Sequence, residues 1–129
     1  KLQPLFLDHS IGIVSVQRSV DRERLAAIAT QAGYNFVVDP RQGGQAGLVE
    51  YVTQLAALDT VVAVDDVTAI VAGALGKPVL KIVPNEDAHW AWGWSGASCV
   101  WSRNIRIMRK AETGTHWASA ALAALKERI

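Results

Sequence analysis

The sequence predicts an α/β fold in which a mostly parallel sheet is flanked by helices, and three observations carry that prediction. Short β-branched apolar runs alternate with segments of helical period along the chain, the pattern of parallel strands joined by crossover helices. Residues 61–84, VVAVDDVTAIVAGALGKPVLKIVP, spell strand, loop, helix, turn and strand with almost no residue to spare. Half of the 129 residues are hydrophobic, enough for one sizeable core and a single domain spanning residues 1–129.

The elements follow in order. Residues 11–16, IGIVSV, read as a buried strand. Residues 21–32 read as a helix with Leu25, Ile28 and Ala29 on one face, closed by Gly33. Residues 35–38 give a second short strand, and the three glycines between Arg41 and Gly47 mark a loop. Leu48, Val52, Leu55 and Ala56 recur at helical spacing over 48–58. The wholly apolar run at 61–64 suits a strand covered on both faces. A helix from Val67 to about Leu75 stops at Gly76, where a left-handed residue is expected, and Pro78 prevents continuation. Residues 79–83 form the next strand, with Lys81 expected to be solvated at its end. Residues 105–108, IRIM, alternate as an edge strand does. The last helix, over about 115–128, carries Trp117, Ala121, Leu122 and Leu125 as a buried stripe, with Lys126 and Arg128 complementing the dipole of its last turn.

Composition excludes several function classes. The net charge of +1 and the scattered basic residues give no electrostatic footprint for nucleic acid or an anionic membrane. Asp65, Asp66 and Lys77 break the apolar stretches well short of a membrane span. The single cysteine, Cys99, excludes an intrachain disulfide and fits a reducing, cytoplasmic setting. His9, His89 and His116 have no metal-pair spacing, so no metal site is expected. Asp8, His9 and Ser10 are adjacent, and adjacent side chains diverge where a catalytic triad must converge.

Two segments carry candidate chemistry. In a parallel crossover the helix N-terminus meets the carboxyl end of a strand, where open α/β sheets bind ligands and often phosphates. Asp65, Asp66, Val67 and Thr68 stand at that point. Their backbone N–H groups suit a diphosphate, with Thr68 adding a hydroxyl; equally, Asp65 and Asp66 suit simple helix capping. Two carboxylates repel a diphosphate unless a divalent cation or a lysine intervenes, and Lys81 is a candidate for that charge. The other segment is HWAWGWSG, which sets Trp90, Trp92 and Trp94 at every second position, with Trp101 shortly after. These rings suit stacking on a sugar or base, or a hydrophobic plug that folds a loop over the sheet.

Several ordered matches make the chain resemble the C-terminal half of the family 9-like glycosyltransferases, the heptosyltransferase-like domains often fused behind tetratricopeptide repeats. The residues are SVQ at 15–17, ALDTVVAVDD at 57–66, VAGALGKPV at 71–79, HWAW at 89–92, VWSR at 100–103 and RIMRK at 106–110, with Trp117 in the last helix. The resemblance implies a Rossmann-like, GT-B C-terminal domain that binds a nucleoside diphosphate sugar as donor substrate, without a further cofactor. It places Gln17 at a strand end facing the cleft, and Asp65 through Thr68 where the donor phosphates approach. The pattern differs at two positions: Asp66 stands for the family's Thr, and Ile70 for its His, a position expected to have turned to packing. The family's domain begins with an earlier strand, so residues 1–7 look like the helix that follows it. The sheet is then expected to lack that strand and to invite pairing with a missing N-terminal domain, a partner chain or a second copy. The expected function is donor binding without catalysis by this piece alone; a degenerate transferase fold serving as an interaction or scaffold module is the alternative.

Overall fold

A computed structural model describes residues 3–17, 21–38, 47–64, 67–83, 90–93, 96–109 and 117–127. The chain is a mixed α/β structure with two small parallel sheets and flanking helices. It divides into two compact units, Lys1–Gln54 and Leu55–Ile129.

In the first unit, α1 (Gln3–Phe6) precedes β1 (Ile13–Ser15), α2 (Arg22–Ala32) and β2 (Phe36–Val38). The two strands pair in parallel, Ile13 with Phe36 and Ser15 with Val38. The ends of α2 are dictated locally. Asp21 accepts the Arg24 N–H at 3.0 Å as N-cap. Gly33, with φ of 66°, lets its own N–H and that of Tyr34 reach back to Thr30 and Ala29, a Schellman closure. Phe6 packs against Tyr34 and Phe36, with ring centroids 5.2 and 5.6 Å away. Asn35 ties the turn before β2 to the turn before β1 by donating its Nδ2–H to the Ile11 carbonyl at 2.6 Å. The expected buried face of α2 is narrower than its spacing suggests: Ala29 is buried, Leu25 half-buried and Ile28 exposed. A sheet of two three-residue strands offers too little surface for an eleven-residue helix.

α3 (Leu48–Ala57) buries Tyr51 and Leu55, four residues apart, and leaves Leu48 and Ala56 exposed. Six of the loop residues expected before it, at 41–46, lie outside the described residues.

The second unit holds β3 (Val61–Ala63), α4 (Val67–Ala74), β4 (Val79–Val83), a 3₁₀ turn (Trp90–Trp92), β5 (Ile105–Arg109) and α5 (Trp117–Lys126). Its sheet is parallel throughout, in the order β3-β4-β5. β4 is central, and all five of its residues are buried. α4 and α5 both pack on it. β3 differs from the expectation of a strand covered on both faces: Val61 and Ala63 are buried while Val62 and Val64 are exposed. Its position at the end of the order explains this, because full two-sided cover falls on the middle strand. Gly76, with φ of 74°, closes α4 as its spacing predicts, with Lys77 N–H on the Ala72 carbonyl at 3.0 Å and Gly76 N–H on that of Gly73 at 3.1 Å. β5 is the other outer strand. The segment before it runs back along its free side through an antiparallel bridge between Ser98 and Arg106 and an Ile107 N–H bond to the Ala97 carbonyl, which caps part of an edge that would otherwise be open. In α5, Ala118, Ala121, Ala124 and Leu125 are buried and Leu122 is half-buried. Among the described residues no helix is long and apolar enough to cross a membrane.

Candidate functional site

The candidate site is the carboxyl end of the β3-β4-β5 sheet, where β3 hands over to α4. Val67, the first residue of α4, is exposed, and Thr68 beside it is only 6% exposed. Asp65 and Asp66 lie outside the described residues. Gln17, exposed just after β1, belongs to the first unit.

The residue that organises this rim is Lys81. Expected in solvent, it is instead 0% exposed in the middle of the central strand. Its Nζ donates to the carbonyl of Val64 at 2.7 Å, immediately past the end of β3. The same ammonium lies 4.6 Å from the centroid of the Trp92 ring. A buried ammonium needs such partners, since an uncompensated charge in an apolar interior is costly, and the face of an indole is a favourable site for a cation.

Trp92 is held there by Arg109, the last residue of β5. Buried like Lys81, Arg109 donates from Nη2 to the carbonyls of Trp92 at 2.9 Å and Gly93 at 3.0 Å, and from Nε to that of Gly96 at 3.3 Å. One guanidinium thus collects three carbonyls of a loop. Gly93 and Gly96, at φ of 67° and 81°, supply the left-handed turns that aim those carbonyls at it. Trp101 completes the arrangement, its ring 5.4 Å from that of Trp92 and its Nε1–H on the Ala91 carbonyl at 3.0 Å.

The tryptophans differ in burial. Trp92 is 3% exposed and plugs the rim, whereas Trp90 is 74% exposed; Trp94 lies outside the described residues. No family model, curated protein or solved structure matches this chain.

The remaining candidates are dispersed. Ser10 donates both its N–H and its hydroxyl to Asp8 Oδ1 in a local turn, and His9 is exposed; this is loop chemistry. Cys99 is a buried free thiol. Among the described residues no three His, Cys, Asp or Glu side chains come together. Ile70, expected to be packing, is 45% exposed on α4, because it lies on the side of the helix turned away from Thr68, Ala69, Ala72 and Gly73.

Of the rim residues, reading the sequence places Lys81 in solvent and passes over Arg109. A signal for the first was present: in VLKIV, period-two alternation groups Lys81 with Val79 and Val83, and a lysine inside a central apolar strand must be paired within the fold. For Arg109 there was none, since its partners are backbone carbonyls supplied by a distant loop.

Proposed function

We propose that this chain is the donor-binding, C-terminal half of a family 9-like, heptosyltransferase-like glycosyltransferase, a Rossmann-like domain of the GT-B type that is not catalytic by itself. The observation that carries the reading is the parallel β3-α4-β4 unit, in which α4 opens four residues after β3 ends with the Lys81 ammonium beside that junction. A helix N-terminus backed by a fixed positive charge attracts a diphosphate. In this role the N–H groups at Val67 and Thr68, flanked by Asp65 and Asp66, receive the phosphates of a nucleoside diphosphate sugar. The sugar's bond to the diphosphate breaks as an acceptor hydroxyl attacks the anomeric carbon, and the diphosphate leaves with the electron pair. An acceptor-binding domain, on the same chain or a partner, supplies the attacking hydroxyl and takes its proton. Donor-side stabilisation by oriented N–H groups and positive charge is the part this domain performs. The setting proposed is the cytoplasm.

A second reading, a degenerate transferase fold kept as an interaction or scaffold module, draws on a specific observation. The Lys81 ammonium is already engaged by Val64 and Trp92, and Thr68 is turned inward, so groups an anion needs are used by the fold itself.

Calorimetric titration with UDP, ADP and GDP separates the two. Saturable binding of one nucleotide, weakened by Val67→Glu, which sets a carboxylate at the exposed first residue of α4, supports donor binding; no heat from any of them up to millimolar concentration supports the module. Restoring the family's residues with Asp66→Thr and Ile70→His is the complementary arm. Ile70 is accessible, so a histidine there is available to a ligand, and nucleotide affinity is expected to rise.

A further inference from the structure

The proposed donor site carries an obstruction of its own. Lys81 stands beside the turn from β3 into α4, its Nζ 2.7 Å from the Val64 carbonyl, yet it is 0% exposed. A ligand arriving from solvent cannot meet that ammonium while its cover stays in place. The aromatic face over it belongs to Trp92, itself 3% exposed, with its ring centroid 4.6 Å from the ammonium. We infer that Trp92 is an autoinhibitory plug, displaced from Lys81 when a nucleoside diphosphate takes the ammonium as a phosphate partner; this rests on the donor-binding reading and names the regulation of that same site.

The frame and the plug are separable. Arg109 grips main chain, with Nη2 on the carbonyls of Trp92 and Gly93 and Nε on that of Gly96. Gly93 and Gly96, at φ of 67° and 81°, set the path of the loop around that guanidinium. The indole of Trp92 can therefore turn about its own side-chain torsions while these backbone bonds persist. Its neighbour Trp101, 5.4 Å away, is 44% exposed and anchored through Nε1–H to the Ala91 carbonyl at 3.0 Å, so an apolar surface remains beside the ring as it moves.

Two opposed terms set the switch. Without ligand, burial of the indole and its contact with the cation favour the seated ring. A diphosphate offers the ammonium a charge-assisted hydrogen bond, among the strongest a side chain makes. Apparent affinity is then lowered by the fraction of molecules in which the ring is away. The contact between Lys81 and Trp92, which by itself speaks for a scaffold, becomes the closed state of a binding site.

The test titrates the whole 129-residue chain with UDP, ADP and GDP, as the parent and as Trp92→Phe, which keeps an aromatic ring in the core but a smaller one with a weaker face for a cation. Calorimetry gives the affinities. The Trp92 indole N–H resonance, assigned through bonds in the parent, reports the ring. Expected are binding at least about fivefold tighter in the variant and a saturable shift of that resonance in the parent. Binding by the variant alone also supports the plug. A resonance that stays in place while nucleotide binds, or a folded variant that binds no tighter than the parent, overturns the plug and leaves donor binding standing. Nucleotide bound by neither protein overturns both. Should the variant fail to fold, the resonance and binding of the parent decide alone.

Discussion

The ammonium of Lys81, in the central strand, and the indole of Trp92, in the loop that follows it, face each other at 4.6 Å. Because the same ammonium holds the Val64 carbonyl at 2.7 Å, one buried cation joins the end of β3, the middle of β4 and the loop over the rim. Arg109 closes the circuit from β5 by gripping the carbonyls of Trp92, Gly93 and Gly96. Two cations and an aromatic ring thus set the shape of the carboxyl edge of the sheet.

Removing the ring tests that arrangement. Trp92→Ala deletes a side chain that is almost wholly buried and is expected to destabilise the protein by about 3–5 kcal/mol, the usual loss for truncating a core aromatic. The check is the midpoint of urea unfolding followed by far-ultraviolet circular dichroism. A loss below about 1 kcal/mol, the level of an ordinary surface change, contradicts the plug.

Gly73 reports on how closely α4 approaches β5. A Cβ placed there would sit 2.7 Å from Ile105 Cδ1 and 3.1 Å from its Cγ1, and Ile105 is buried. Gly73→Ala is therefore expected to cost about 1–3 kcal/mol through overpacking, although alanine is the better helix former by about 1 kcal/mol. Adding Ile105→Val, which removes Cδ1, is expected to recover part of the loss. A double-mutant cycle measures this; strict additivity of the two changes contradicts the close approach.

The helix ends give two smaller effects. Asp21→Ala removes the acceptor of the Arg24 N–H and is expected to lower stability by about 1 kcal/mol. Gly76→Ala forces a side chain into the left-handed region at φ of 74°, with no atom closer than the Asn104 Nδ2 at 4.0 Å. Its expected cost of about 1–2 kcal/mol is conformational alone. Asparagine at position 76, which tolerates that region better, is expected to lose less. Thermal melts of the three variants check both statements.

Local chemistry made much of the fold legible before any coordinates. The β4 bounds, the stop at Gly76 and the closure at Gly33 follow from side-chain branching, proline and glycine, which act within a few residues. Burial was harder to read wherever it depends on how many strands cover a helix or a strand. Ile28 and Leu48 have the right spacing for a buried stripe and are exposed, and Val62 sits in an outer strand, not a covered one. The turn from β3 into α4 was legible as local structure, but the buried cation beside it was not. Lys81 is one charge in an apolar run, and only the approach of Trp92 and Val64 from elsewhere in the chain explains why it is inside.

A crystal structure of the chain soaked with the nucleoside diphosphate that binds tightest tests the donor-site proposal most directly. The expected result is a diphosphate within hydrogen-bond reach of the Val67 and Thr68 N–H groups, beside the Val64 carbonyl that Lys81 holds. A nucleotide bound elsewhere, or none bound at all with Trp92 still seated on Lys81, contradicts it.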